Sequence, residues 1–358
     1  MGWDFERLDE VFAMLGQTGR HLLLHGLLGL LLSLFLAACD SGDVAVEEVT
    51  IYTSVDQHFS EPLFRRFEQV SGVRVRPVYD IEAAKTTGLV NRLIGESKRP
   101  LADVLWNGEV SQMRRLAEHG VLAIYRPKRL PEGVALGPKG RWLEFGGRVR
   151  VFIINRQRLG SRPPPTSIVD LLDPRWQGGD IAIAYPLFGT TATHAVALAE
   201  VWGVAPTLDF FSQLERRGIR FVDGNSVVRD LVVSARAVFG LTDTDDACGA
   251  VARGEPVFAT FPDQGAEGMG ALVIPNSVGL IEGAPHEEAA KRFIDFVIGE
   301  EATALLAQSG WLYVSGRQVV ADPDCRLPAR LKRMSLPSGL DAEALDRLRR
   351  DLRDVIVR

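Results

Sequence analysis

From Val49 onward the chain repeats one unit: a short apolar run, a polar loop, then an amphipathic helix. Val49–Thr53 (V-T-I-Y-T) reads as a strand and Glu61–Val70 as a helix, with Pro62 in its first turn and Leu63, Phe64 and Phe67 on one face. Val73–Val78 alternates as the next strand. Ala83–Gly95, Ala102–Trp106 and Val110–His119 continue as helix, strand and helix. Strands alternating with helices of this length predict a mostly parallel sheet covered on both faces. Such a sheet sends every loop at the C-terminal ends of its strands into one crevice.

A second series follows Arg148–Asn155 (R-V-R-V-F-I-I-N), the most strand-like run in the chain, and the break at Pro163-Pro164-Pro165. Thr166-Ser167 reads as a helix start. The reading continues with strand Ile181–Ala184, loop Tyr185–Thr191 and helices Thr193–Trp202 and Leu208–Arg217. Strand Ile219–Val222, loop Asp223–Ser226 and helix Val227–Ser234 come next. Ala237–Leu241 then reads as a strand that ends in the acidic loop Thr242-Asp243-Thr244-Asp245-Asp246, followed by a helix through Ala247, Ala250 and Val251. Ala271–Ile274 and Ser277–Ile281 read as a strand pair around Pro275-Asn276, and Pro285–Gly299 as a helix. A length of 358 residues suits two packed lobes better than one. The expected division is a signal over 1–39, a tether over 40–48, and a first lobe over 49–150 to which about 272–310 returns. The second lobe is 151–271 and a helical C-terminal segment is 311–358. Val149–Asn155 and Ala271–Ile281 are the expected crossings between lobes.

The N-terminus reads as an export signal. Arg20-His21 precedes an apolar run from Leu22 to Ala38, which ends in Leu36-Ala37-Ala38-Cys39. Leu-Ala-Ala-Cys resembles a bacterial lipobox, which would make Cys39 the lipidated first residue of an exported protein anchored to the membrane on its extracytoplasmic face. Met14 is a candidate start within the acidic stretch ahead of it. A formal charge of −5 and no large basic surface argue against a nucleic-acid partner. With three Cys in the chain this is no disulfide scaffold. The sequence leaves open whether Cys248 and Cys325 pair.

The loops expected at one crevice carry the candidate site. The first brings Asp56 and His58, with Ser54 and Gln57, and the second brings Glu109 with Asn107. A third, Gly189, Thr190 and Thr191, opens a helix whose free N–H groups suit an anion. Asn225 and Ser226 add amide and hydroxyl donors, and the acidic loop adds Asp243, Asp245 and Asp246. Carboxylates are hard ligands for hard cations, and His58 and His194 are possible further ligands. A second reading makes Thr244 a plain N-cap and Asp245 and Asp246 ordinary first-turn acids.

Taken in order, Y-T-S-V-D-Q (Tyr52–Gln57), A-D-V-L-W-N-G-E (Ala102–Glu109), G-L-T-D-T-D-D-A (Gly240–Ala247), L-V-I-P-N-S-V-G-L-I (Leu272–Ile281) and A-P-H-E-E-A-A-K-R-F-I-D-F (Ala284–Phe296) resemble the substrate-binding component of ferric-iron-type ABC importers. The resemblance runs from about Val49 to Ser309. It implies an α/β, two-lobed periplasmic-binding-protein type II fold with hinge strands, monomeric and without catalysis. It further implies delivery of cargo to an ABC permease and its ATPase. By position Glu109 matches the family's iron-binding glutamate, Gly189–Thr191 its synergistic-anion site, and His58 lies near its histidine ligand. The family's two adjacent tyrosines are replaced here by Asp245-Asp246. The implied cargo is Fe(III), or another hard metal, with a synergistic anion. The alternative is a phosphonate, phosphate ester or other small organic anion. A metal-dependent phosphatase of the haloacid dehalogenase type, built on Asp243-x-Asp245, is a more distant expectation, because Ala247 stands where that pattern wants Thr or Val.

Overall fold

The computed structural model describes residues 46–80, 87–309, 323–328, 330–335 and 342–357 of the chain. The first series is β1 (Glu48–Thr53), α1 (Gln57–Ser71), β2 (Arg74–Tyr79), α2 (Thr87–Gly95), β3 (Val104–Asn107) and α3 (Ser111–Glu118). The short β4 (Ala135–Leu136) then leads to the long β5 (Leu143–Asn155). The second series is α4 (Arg156–Leu159), β6 (Ile181–Ala184), α5 (Gly189–Trp202), α6 (Val204–Arg216), β7 (Arg220–Val222), α7 (Asn225–Val233), β8 (Phe239–Asp243), α8 (Thr244–Ala252) and β9 (Val257–Thr260). The chain closes with β10 (Ala271–Leu280), α9 (Glu287–Val297), α10 (Glu300–Gln308), β11 (Arg333–Met334) and α11 (Ala342–Ile356). The division of the chain falls at Val46, and all these elements belong to the unit Glu47–Arg358.

The strand order β2-β1-β3-β10-β5-β8-β6-β7 shows how two lobes share one chain. β2, β1 and β3 are parallel neighbours, and so are β8, β6 and β7. Between these groups run β5 and β10, antiparallel to each other, to β8 and to β3 respectively. They are the two strands that cross between the lobes.

Pleating explains why each lobe is covered on both faces. Ile51 and Trp106 point into a core with Phe64, Phe67 and Phe293, while their chain neighbours Tyr52 and Leu105 point the other way, toward Leu89, Met113 and Leu116. The second lobe repeats this: Ile181, Ile183, Phe152 and Ile154 face one core, and Ala182, Ala184, Val151 and Ile153 face the other. At Gly240 a Cβ would lie 2.6 Å from the Ala182 carbonyl oxygen, so β8 packs at this distance only with glycine.

Several helices begin earlier than their sequence pattern predicts. α1 starts at Gln57 rather than Glu61, because the Asp56 carbonyl already accepts from Phe59 and Ser60 N–H. Pro62 therefore sits inside the helix, not in its first turn. α5 starts at Gly189 and α7 at Asn225, so the expected loops there are first helical turns. Nor is the acidic segment a loop: β8 ends at Asp243 and α8 begins at Thr244. The expected strand pair around Pro275-Asn276 is one strand, β10, with a register irregularity between Ile274 and Asn276. Thr166-Ser167 leads into a short 3-10 turn, Ile168–Leu172, closed by a Ser167–Asp170 capping box.

The C-terminal segment packs on the second lobe. Leu348, Leu352 and Ile356 of α11 are buried with Phe210 and Leu214 of α6. β11 pairs in parallel with β10, and Cys325 is disulfide-bonded to Cys248 of α8, with a Cα–Cα distance of 5.4 Å. The predicted export signal and Cys39 lie outside the described residues, as do 81–86 of the second expected helix. Among the described residues no helix is long and apolar enough to cross a membrane.

Candidate functional site

Five helices, α1, α3, α5, α7 and α8, begin just beyond strand ends, and none receives a hydrogen bond from its N-cap side chain. An uncapped first turn keeps N–H groups and the positive end of the helix dipole available to a ligand. Residues from the start or the N-cap side of all five line one cleft. Asp56, Glu109, Gly189, Thr190, Thr191, Asn225, Ser226, Asp245 and Asp246 are all at its wall, together with Arg148. The structure thus brings together nine of the eleven site residues expected within the described chain.

Two expected residues lie elsewhere. Asp243 lies behind the cleft wall, with its side chain 1% exposed. One carboxylate oxygen accepts from Arg150 Nη1 at 2.7 Å, and the other from Thr190 Oγ1 at 2.7 Å and Asn225 Nδ2 at 3.0 Å. Burial disfavours its charge, but Arg150 and Arg148 overcome that penalty and hold the carboxyl below the usual range. His58 is exposed on α1 and lines a separate groove with Gln57, Glu61 and Arg65. The early start of α1 makes it a helical surface residue rather than a loop residue.

Arg148 and Arg150 are the functional residues that the motif reading passed over. Both come from β5 and stand two apart, so they share one face of the strand. Arg150 is fully buried and also donates to Asn225 Oδ1 at 3.2 Å and to the hydroxyls of Thr190 and Thr191 at 3.3 Å. Arg148 reaches Asp245 at 3.5 Å and Asp243 at 3.6 Å, and donates to the Gly108 carbonyl at 2.6 Å. The signal was legible: two charged residues interrupting R-V-R-V-F-I-I-N need buried partners.

Asp245 and Asp246 stand in the first turn of α8, where the helix dipole favours acids. Thr244 is not their N-cap. Asp243 occupies that position, and the Thr244 hydroxyl accepts from Val149 N–H at 3.1 Å instead. Asp246 accepts from Arg229 at 3.1 Å and Thr242 at 3.0 Å. Burial, and then the charge of Asp243, push its carboxyl up to about 6. Asp245 is buried, and its Oδ1 has no hydrogen-bond partner. Burial first, and then the neighbouring aspartates, raise it well above the ordinary carboxylate range despite Arg148. Glu109 accepts from Asn107 at 3.1 Å and Thr193 at 3.1 Å. His194 is buried in α5. Burial and Arg150 lower its pKa to about 3, which leaves the imidazole neutral.

The wall therefore carries protonatable carboxyls, helix N-terminal N–H groups and the Arg148 guanidinium, which lies beside Asp245 at 3.5 Å. A hard cation would displace protons from Asp245 and Asp246, and an anion would meet helix N-termini. Among the described residues no three His, Cys, Asp or Glu side chains are grouped closely enough to hold a metal ion by themselves.

Residues 99–333 match the model of the family described as bacterial extracellular solute-binding protein. The chain is similar to iron uptake protein A1 of Synechocystis sp., with 27% identity over 282 residues covering 75% of each chain. Its fold matches iron-bound HitA from Pseudomonas aeruginosa, with a TM-score of 0.72 and 22% identity over 86% of this chain and 99% of the other. It also matches AfuA from Actinobacillus pleuropneumoniae, solved with fructose-6-phosphate, with a TM-score of 0.72 and 21% identity over 87% and 99% of the two chains.

Proposed function

The chain belongs to the family of bacterial extracellular solute-binding proteins, and we propose that it captures Fe(III) together with a small anion between its lobes for an ABC importer. The observation that carries this reading is Asp245: a buried carboxyl at the cleft wall with one oxygen unpartnered, beside a second raised carboxyl, Asp246. Similarity to the iron uptake protein supports the same cargo. In this reading Asp245, Asp246 and Asp56 offer hard oxygen donors, with Glu109 on the same wall. A synergistic anion completes the metal's coordination from the first turns of α5 and α7, at Gly189, Thr190, Thr191, Asn225 and Ser226. That anion would supply donors that, among the described residues, grouped protein side chains do not supply by themselves. Cys39, lipidated after removal of the signal, would tether the monomeric domain to the membrane near its permease and ATPase.

A second reading is favoured by Arg148 and the converging helix N-termini, which suit a phosphate or phosphonate ester without metal. A thermal-shift experiment on the metal-stripped protein separates the two. Fe(III) with citrate or phosphate raises the melting temperature in the iron reading, by about 2.7 kcal/mol of stabilisation at a hundred times Kd. No shift with Fe(III) plus anion, but a shift with fructose-6-phosphate or 2-aminoethylphosphonate alone, would replace iron by an organic anion.

A further inference from the structure

The turn that bears Glu109 belongs to the first lobe, yet two helices packed in the second lobe hold it. Thr193 of α5 donates to Glu109 Oε2 at 3.1 Å. One helical turn after Glu109, Gln112 of α3 faces Arg349 of α11; with the Gln112 amide assigned so that its oxygen meets the guanidinium, Arg349 donates to it through Nη1 at 2.9 Å and through Nη2. Helix α11 is seated by its apolar face, Leu348, Leu352 and Ile356, among second-lobe side chains, so Arg349 reaches the first lobe from a fixed base. Glu109, Gln112 and Thr193 are each at most 2% exposed. The Arg349 side chain is 19% exposed; burial lowers its pKa below the ordinary arginine value, and Glu109 is the leading charge that opposes that shift.

Buried hydrogen bonds made across a lobe boundary, added to the one Glu109 accepts from Asn107 of its own lobe, make separation of the lobes costly at that point. Those bonds form between protein groups alone. We propose that Thr193 and Arg349 form a clasp on the Glu109–Gln112 turn, and that the C-terminal helix thereby sets the balance between open and closed lobes before cargo binds. Arg349 is then a positioning residue for Glu109, acting from outside the cleft, whose wall does not include it. Closure biased in this way raises the fraction of binding-competent protein and so tightens apparent affinity.

The test is small-angle X-ray scattering of the full-length, cargo-free protein, which reads lobe separation without any assumption about the cargo. Arg349→Met and Thr193→Val are expected to increase the radius of gyration over wild type, with unchanged far-UV circular dichroism. Gln112→Glu, which places a carboxylate against the guanidinium, is expected to leave it equal or smaller, and Arg349→Met is expected to abolish that effect. Thr193→Val tests the clasp without touching the packing of α11. Scattering curves of both loosened variants that superimpose on wild type would overturn the proposal. Failure of Fe(III) to bind would overturn the cargo reading and leave this measurement standing.

Discussion

Asp245 and Asp246 have their chemistry set by burial before any cargo arrives. In water both would be ionised at neutral pH; at the cleft wall both carboxyls are raised, and Asp246 titrates at about 6. Asp245→Ala is expected to weaken binding of Fe(III) with citrate more than tenfold, about 1.4 kcal/mol, with the unfolding transition retained. Equal affinity by competition titration would remove Asp245 from the site. The raised Asp246 also gives a pH dependence whose sign follows from linkage. A carboxyl with a folded pKa above its unfolded value favours the folded state while protonated, and that contribution is lost as pH rises from about 4 through about 6. The loss is on the order of 2–3 kcal/mol. Asp243, lowered instead, acts in the opposite sense and only below the ordinary carboxylate range. Cargo-free protein is thus expected to resist urea better near pH 5 than near pH 7.5. Asp246→Asn is expected to flatten that difference, and an unchanged slope would contradict the assignment. Two arginines two residues apart were visible in the sequence at Arg148 and Arg150. Their partner Asp243 was visible too, but as an open ligand, because nothing local shows that the two meet.

Helix α8 joins the acidic first turn to the rest of the molecule at two points. Its N-terminus presents Asp245 and Asp246, and Cys248, one turn on, is bonded to Cys325 in the C-terminal segment. A link across 77 residues of sequence restricts the unfolded chain, worth about 4.5 kcal/mol in the loop-entropy model. Replacing both cysteines by serine is expected to lower the urea midpoint, and reductant is expected to do the same to the wild type. Equal midpoints would mean that the bridge adds no stability. Most elements were legible because their periodicity is local: Ile51/Tyr52 and Leu105/Trp106 alternate between faces as a covered parallel sheet requires. Helix starts were less so. Gly189–Thr191 and Asn225-Ser226 looked like loops because polar, small residues fill first turns and loops alike. In the structure the backbone bonds that open each helix, from Ala192 N–H to the Phe188 carbonyl and from Val228 N–H to the Gly224 carbonyl, draw them into helical turns.

For the molecule as a whole, β5 and β10 pair antiparallel between the two parallel strand groups and are the strands that run from one lobe to the other. The proposed anchor belongs to this scale. Cys39→Ser is expected to move the protein from the detergent phase to the aqueous phase in a phase-separation assay, and to remove the acyl mass from the N-terminal peptide. Continued partition into detergent would rule out Cys39 as the anchor.

The order of apolar runs and breaks in the sequence determined two β/α lobes, the crossing strands and the set of strand-end loops that meet at one crevice. It could do so because strand and helix periodicities are carried by residues a few positions apart. Only the tertiary structure decided which carboxylates are open to cargo and which are paired. Arg150 meets Asp243 across 93 residues, and Thr193 meets Glu109 across 84. Burial and pairing at such separations depend on how the lobes pack, and that packing turned one aspartate of the acidic segment into part of the core and left its neighbours at the cleft.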